Sequence, residues 1–376
     1  MRRLSRRFDE IGESATLRAS DRAARLRKEG RRVFAFTLGE PDFPTPAPIR
    51  QAAARAAARG ETHYTPSAGI PELREAVARK LRRENRVPAE AGNVVVTSGA
   101  KQAIYEACQA LIEPGDEVLL IDPAWVTLAA CVKMAGGRVV WCRDLGEAAA
   151  RAGPGTKLLI LNSPNNPSGA VLSRKEIGEA ADLARDRDLW VLSDEIYEKI
   201  VYGKPHVSIA SLPGMAERTV VVNGFSKSYA MTGWRIGWAV APPEVANVML
   251  KVQQHTVTCA PSIAQHGALA ALKMPASAVA KMVREFRARR DILVEGLRDL
   301  GFAVEPPAGT FYLWLGVASR GGGAAFAEKI LEEAGVAVTP GDDFGPSGKD
   351  YVRFSYACGR ETIREALERL GQVQDV

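Results

Sequence analysis

The chain reads as an α/β protein with a mostly parallel central sheet, and three observations predict it. Between about residues 93 and 240, short β-rich runs alternate with helical patterns, as in βαβ units. Several of these runs are almost continuously apolar, as expected of strands covered by helices on both faces. The length of 376 residues, at roughly 150 per domain, leaves room for a second, smaller unit.

The elements follow in order. AAARAAARG at 52–60 predicts a helix with Gly60 as its stop. Strands are expected at 93–97, 117–121, 157–161, 189–193, 219–223 and 236–240. A helix opens at Ser98-Gly99-Ala100 and runs to about Ile112. After Pro275 an amphipathic helix is predicted over about 276–300, with Val279, Met282, Val283, Phe286, Leu293 and Leu297 as its apolar stripe. It leads into the smaller unit, with strands near 311–315 and 351–356, where the first 45 residues are expected to pack as well. The glycines at 321–323 read as a tolerated surface turn.

Composition narrows the function classes. Hydrophobic residues at 46% and charged residues at 25% match a globular average and exclude wholesale disorder. No run approaches the roughly 18 apolar residues of a membrane span. The basic start leads into no apolar stretch, so a secretory signal is not expected and the reading is a cytoplasmic protein. The balance of 50 Lys+Arg against 44 Asp+Glu is interleaved, as in PELREAVARKLRREN, which suits a solvated surface better than a nucleic-acid face. Five scattered cysteines without CxxC read as reduced thiols. Four histidines without HExxH argue against zinc and are assigned surface or packing roles.

In open α/β sheets ligands bind beyond the carboxyl ends of the strands, so the residues following each strand carry the functional reading. The first expected strand leads into Gly99, Ala100 and Lys101, where small residues at a helix start let N–H groups approach a phosphate. The second is followed by Trp125, which could stack on a planar ring or simply pack. The third leads into Asn162-Ser163-Pro164-Asn165-Asn166-Pro167-Ser168-Gly169, turn chemistry whose amides also suit a neutral oxygen. The fourth gives Asp194-Glu195-Ile196-Tyr197; a carboxylate in a dry site needs a cationic partner. The fifth gives Ser226 and Lys227, a lysine among small and apolar residues whose desolvation would make it a usable amine nucleophile. Arg235, eight residues further on, could hold a phosphate with its planar fork. Phosphate cradle, aromatic plate, carboxylate, amide and imine-capable lysine together fit pyridoxal phosphate.

With LGEPDFPTP (38–46), YTPSAGIPELREA (64–76), SPNNPSG (163–169), SDEIYE (193–198), SKSYAMTGWRIGW (226–238) and VRFSYA (352–357), the chain resembles class I (fold type I) pyridoxal-phosphate aminotransferases end to end. The resemblance implies a large α/β/α domain over 46–285 and a smaller α+β domain from 1–45 and 286–376. It implies that Lys227 links covalently to pyridoxal 5'-phosphate and, once freed by substrate, carries out the 1,3-proton shift. Asp194 would pair with the ring nitrogen, Tyr197 and Asn166 with the phenolic oxygen, and Trp125 would stack. Gly99, Ala100, Lys101, Ser226 and Arg235 would hold the phosphate, with Tyr64 arriving from a second subunit, so a homodimer is implied. Arg353 would take the substrate α-carboxylate together with the backbone of Gly39. Period-two alternation supports this by setting Arg353 and Ser355 on the opposite face from Val352, Phe354 and Tyr356. Two departures stand out: Gly224 where many relatives have Ser or Thr, and Ser168 in place of the commoner Thr.

Lys101 in GAKQA and the segment Ser14-Ala15-Thr16 resemble a subgroup of aspartate aminotransferases, some of which also act on prephenate. There the lysine and the hydroxyls bind the distal carboxylate. The expected activity is therefore amino transfer from aspartate or glutamate to a 2-oxo acid in two half-reactions. Rival readings are an aromatic or alanine substrate class, a C–S β-lyase on the same scaffold, and a regulator carrying an aminotransferase-like domain.

Overall fold

In the computed structural model, which describes residues 8–9, 11–13 and 15–374 and their side chains except at 15–17, the apolar runs become strands buried on both faces. In chain order the strands are β1 (Phe34–Ala35), β2 (Val94–Thr97), β3 (Glu117–Ile121), β4 (Arg138–Cys142), β5 (Thr156–Asn162) and β6 (Trp190–Asp194). They continue as β7 (Thr219–Gly224), β8 (Gly237–Val240), β9 (Tyr312–Gly316), β10 (Val336–Ala337), β11 (Thr339–Pro340) and β12 (Tyr351–Ser355). Seven form one sheet in the order β2-β8-β7-β6-β5-β3-β4. All neighbours from β4 to β7 run parallel, whereas β8 is antiparallel to both β7 and β2.

Alternation sorts each run between two cores. Val118, Leu120, Leu158, Ile160 and Leu192 pack on one face with Ala103, Ile104 and Leu111 of the helix Ala100–Leu111. Leu119, Leu159, Leu161 and Val191 pack on the other with Ile177, Ala180 and Ala184 of the helix Arg174–Asp186. Each fully buried Val, Leu or Ile among them is worth roughly 1.5–3 kcal/mol of transfer free energy, which is why an uninterrupted apolar run is stable here.

The smaller unit joins a segment early in the chain to segments late in it. β1 pairs with β10, Phe34 opposite Val336, and β12 lies between β11 and β9. Its core gathers Phe36, Phe311, Leu313, Phe326 and Phe354. The helix Ala276–Asp299 carries the expected stripe and serves two cores: Val279 packs near Ile49 and Leu73, while Phe286, Leu293 and Leu297 pack in the smaller unit.

Three details differ from the sequence reading. Strand β4 was not foreseen; RVVWC is short, follows Gly136-Gly137 and opens on an exposed arginine. The fourth expected strand shifts by one residue, making Asp194 the last residue of β6 rather than the first of a loop. Gly323 is not part of a surface turn: it is buried and begins the helix Gly323–Ala334.

Candidate active site

Sheet register assembles the site. At the ends of β5 and β6, Asn162 lies opposite Asp194, and Asp194 opposite Val222 of β7. Asp194 is only 2% exposed and accepts a 3.2 Å hydrogen bond from the Ile196 N–H. Burial pushes its carboxyl up to about 7; the Ile196 N–H and Lys227 oppose the rise, and Glu195 adds to it. A carboxyl in that state takes up a cationic partner readily.

Lys227 stands in the turn after β7. Its Nζ donates to the Gly39 carbonyl and lies 5.9 Å from the centroid of the Tyr197 ring. Burial pulls the ammonium down to about 8; Arg353 and Arg235 act in the same direction, Glu40 and Asp194 against it. An amine in that range supplies a useful neutral fraction near neutral pH.

The Tyr197 hydroxyl lies 2.9 Å from that of Tyr312. Burial raises both phenols, so each stays a hydroxyl. Arg353, 1% exposed, stacks its guanidinium 4.4 Å from the Tyr312 ring centroid. Its Nη1 donates to Asn166 Oδ1 at 2.9 Å and its Nη2 to the Thr37 carbonyl at 3.0 Å. Asn166 sits in a loop that its own side chains shape. Asn162 Oδ1 accepts from the Asn166 N–H at 2.9 Å, and Asn165 Oδ1 accepts from Ser168 N and Oγ at 3.0 and 2.7 Å.

At the other end the helix Ala100–Leu111 starts without a side-chain cap, leaving its first N–H groups for a ligand. Gly99 has φ +90°, and a Cβ there would sit 2.7 Å from Arg235 Nη2. Glycine is thus what lets the guanidinium reach this corner. Arg235 is held by a 2.9 Å bond from Nη1 to the Thr232 carbonyl. At Gly224 a Cβ would meet Gly237 Cα at 3.0 Å and the Ile236 carbonyl at 3.2 Å, so a Ser or Thr there would need the neighbouring backbone to give way slightly. Lys101 points its Nζ to 5.1 Å from the Trp125 ring centroid. Burial lowers its pKa; Cys131 opposes this and Arg235 reinforces it.

These groups line one cleft of about 390 Å³. It brings together Gly39, Ala100, Lys101, Trp125, Asn166, Asp194, Tyr197, Ser226, Lys227, Arg235 and Arg353. Gly99 lies directly behind its rim against Arg235. Tyr64 is not a lining residue; it is 86% exposed on the surface. Ser14 and the Thr16 side chain lie outside the described residues. Ser20, Leu38, Glu40, Asn162, Ile196, Thr232 and Tyr312 also line the cleft, and sequence reasoning gave none of them an individual role. Asn162 and Ile196 flank residues it did name, but Tyr312 sits in an apolar strand that gives no local sign of a site.

A phosphorylated, aldehyde-bearing pyridine fits this set. The buried, raised carboxyl of Asp194 suits a cationic partner, the lysine amine is tuned toward neutrality, and an uncapped helix start faces an arginine. Such a cleft, at the carboxyl ends of a mostly parallel sheet covered on both faces, suits a small anionic cofactor.

The sequence model for aminotransferases of class I and II matches residues 31–370, and the chain belongs to that family, whose class I members depend on pyridoxal phosphate. It is 44% identical to the aspartate/prephenate aminotransferase of Thermus thermophilus, over 99% of each chain. It is 39% identical to the aspartate aminotransferase of Thermotoga maritima and to aromatic-amino-acid aminotransferase 2 of Thermococcus litoralis, over 98% of each chain in both cases. The solved structure of the Thermus thermophilus aspartate aminotransferase with maleate superposes with a TM-score of 0.95 at 42% identity, covering 99% of this chain and 100% of that one. The fold is that of these enzymes, and the chain is an aminotransferase.

Proposed function

We propose that this aminotransferase holds pyridoxal 5'-phosphate in the cleft and takes aspartate as its amino donor, passing the amino group to a 2-oxo acid. The observation that carries the proposal is the convergence of Lys227 and Asp194 in one cleft, the amine lowered to about 8 and the carboxyl raised to about 7 by the same burial. When bound, the cofactor supplies an aldehyde and an electron-accepting ring.

The chain's own residues do the rest. Lys227 provides the amine that holds the aldehyde, and once displaced it moves a proton at the substrate carbon. Asp194, ionised by a cationic ring nitrogen, holds the proton there. Tyr197 and the amide of Asn166 are the donors toward the phenolic oxygen, supported by the Tyr197–Tyr312 contact and the Asn166–Arg353 bond. Trp125 covers the ring face. The N–H groups at Gly99, Ala100 and Lys101, with Ser226 and Arg235, bind the phosphate. Arg353 and the Gly39 backbone take the α-carboxylate. Lys101, with Ser14 and Thr16, binds a second carboxylate, which favours aspartate or glutamate and is compatible with prephenate. The relatives named for aspartate and prephenate support this choice.

A homodimer completes the site, with Tyr64 of one subunit reaching the phosphate of the other. Its 86% exposure, and that of Leu38 at 45%, support a covered face. The proposed division is 46–285 for the large domain, with 1–45 and 286–376 forming the small one. The helix Ala276–Asp299 runs unbroken through that boundary. Among the described residues no helix is long and apolar enough to cross a membrane. The five cysteines carry free thiols, which supports a reducing, cytoplasmic setting.

Borohydride treatment of the cofactor-loaded protein tests the proposal: it should fix the cofactor's mass on the peptide containing Lys227. Fixation on another lysine, or none, would refute it.

A further inference from the structure

On the side of β6 away from the cleft lies an ionisable pair that the proposed chemistry does not use. Asp194 lines the cleft, while Ser193 and Glu195 turn the other way, as strand alternation requires. Glu195 is completely buried. Its Oε1 accepts hydrogen bonds from Ser193 Oγ at 3.0 Å and Ser208 Oγ at 2.6 Å. Its Oε2 lies 3.1 Å from Nε2 of His206, whose side chain is 4% exposed. The sequence reading gave His206 a packing or surface role; the structure makes it the ion-pair partner of a buried acid, directly behind the cleft.

The electrostatic consequence reaches Asp194. Two consecutive buried carboxyls repel, and Glu195 contributes to the upward push on Asp194. A carboxylate that accepts two hydroxyl donors in so dry a place needs a countercharge. His206 is the group placed to give it. Burial pulls the imidazolium down, but the negative charges of Glu195, 3.1 Å away, and of Glu198 outweigh burial and the opposing charge of Lys80. Lys80 is itself paired with Glu198. On the cleft side the charged group facing Asp194 is Lys227.

We propose that His206 is a positioning residue: its imidazolium cancels the charge of Glu195, so that Asp194 alone presents a net negative charge to the ring nitrogen. The inference rests on the cofactor reading of the cleft. A histidine that merely fills space would act through its shape, whereas this role acts through net charge, and the two are separable.

The test is a pH titration of the visible absorbance of cofactor-loaded protein, unaltered and as H206Q, E195Q and the double variant. H206Q leaves one uncompensated buried negative charge, which favours the protonated chromophore. Its colour-change midpoint should rise by about one pH unit. E195Q removes the charge that keeps His206 cationic, so the pair stays neutral and the midpoint should hold; the double variant should hold as well. An unmoved midpoint in H206Q overturns the inference, as does a double variant shifted as far as H206Q, because shape alone would then explain both. Should H206Q fail to fold, the double variant and E195Q still decide: a midpoint moved by a unit in either overturns it. Unaltered protein that takes up no cofactor removes the underlying reading too, a result distinct from a chromophore with an unmoved midpoint.

Discussion

Arg353 Nη1 donates to Asn166 Oδ1 at 2.9 Å, and this bond joins the small sheet to the loop that follows β5. Arg353 comes from β12 and is braced by Tyr312 of β9, with Tyr312 in turn 2.9 Å from the Tyr197 hydroxyl. The residue proposed for the α-carboxylate and those proposed for the ring's phenolic oxygen thus form one connected network. A change at either end should be felt at the other.

Replacing Arg353 tests that network. In Arg353→Lys the charge remains, but the planar fork that bonds Asn166 and Thr37, and that suits a carboxylate, is lost. The expected loss is roughly 100-fold in kcat/KM for the amino acid, about 2.7 kcal/mol. Steady-state kinetics on the purified variant check it, and a loss below threefold would detach Arg353 from substrate binding.

Lys101 should set the preference for a second carboxylate. Lys101→Leu is expected to lower kcat/KM for aspartate by roughly 10–100-fold while a neutral amino acid loses far less, since only the dicarboxylate forfeits a charge-assisted bond. Equal losses on both substrates would assign Lys101 to the cofactor alone.

Asp194 links pH to stability. Its folded pKa of about 7 lies above the ordinary carboxylate range, so cofactor-free protein binds this proton more tightly than the unfolded chain does. Stability from this group is therefore present at low pH and is lost as pH rises from the ordinary range through about 7. Asp194→Asn should remove the loss, raising Tm at pH 8 without cofactor while weakening cofactor uptake. Thermal scans with and without pyridoxal phosphate measure both; an unchanged Tm difference across pH would contradict the assignment.

Glu106 offers the same test away from the chemistry. Burial raises it to about 8, with Gln102 opposing, so its stability contribution also declines between the ordinary carboxylate range and pH 8. Glu106→Gln should match the unaltered protein near pH 4 and melt higher at pH 9. Calorimetry at both values decides it.

Tyr64 and Lys227 should complement across subunits. Tyr64→Ala and Lys227→Ala proteins, each weak or inactive alone, should recover activity when mixed and allowed to exchange. One site of the mixed dimer then carries neither change. No recovery after demonstrated exchange would place Tyr64 outside the partner's site.

Much of this was legible in the sequence because polar residues that interrupt an apolar run mark a strand end. Asp194, Asn166 and Lys227 stand out that way, and alternation alone turned Arg353 away from the core side of its strand. Other features depend on contacts between distant segments. Tyr312 is one aromatic in YLWLG, and its hydroxyl matters only because β9 carries it to Tyr197. His206 and Glu195 meet only after the chain folds back beneath β6. The antiparallel course of β8 is equally silent in GWAV. Tyr64 shows no site contact in one chain, since its role is proposed to need two.

The most direct measurement is the absorbance spectrum of cofactor-loaded protein before and after adding aspartate with no 2-oxo acid present. The account predicts that the visible band of the lysine-bound cofactor gives way to a near-ultraviolet band as the amino group is taken up, and that a 2-oxo acid restores it. A visible band that aspartate leaves untouched would contradict the assignment of this cleft to aspartate.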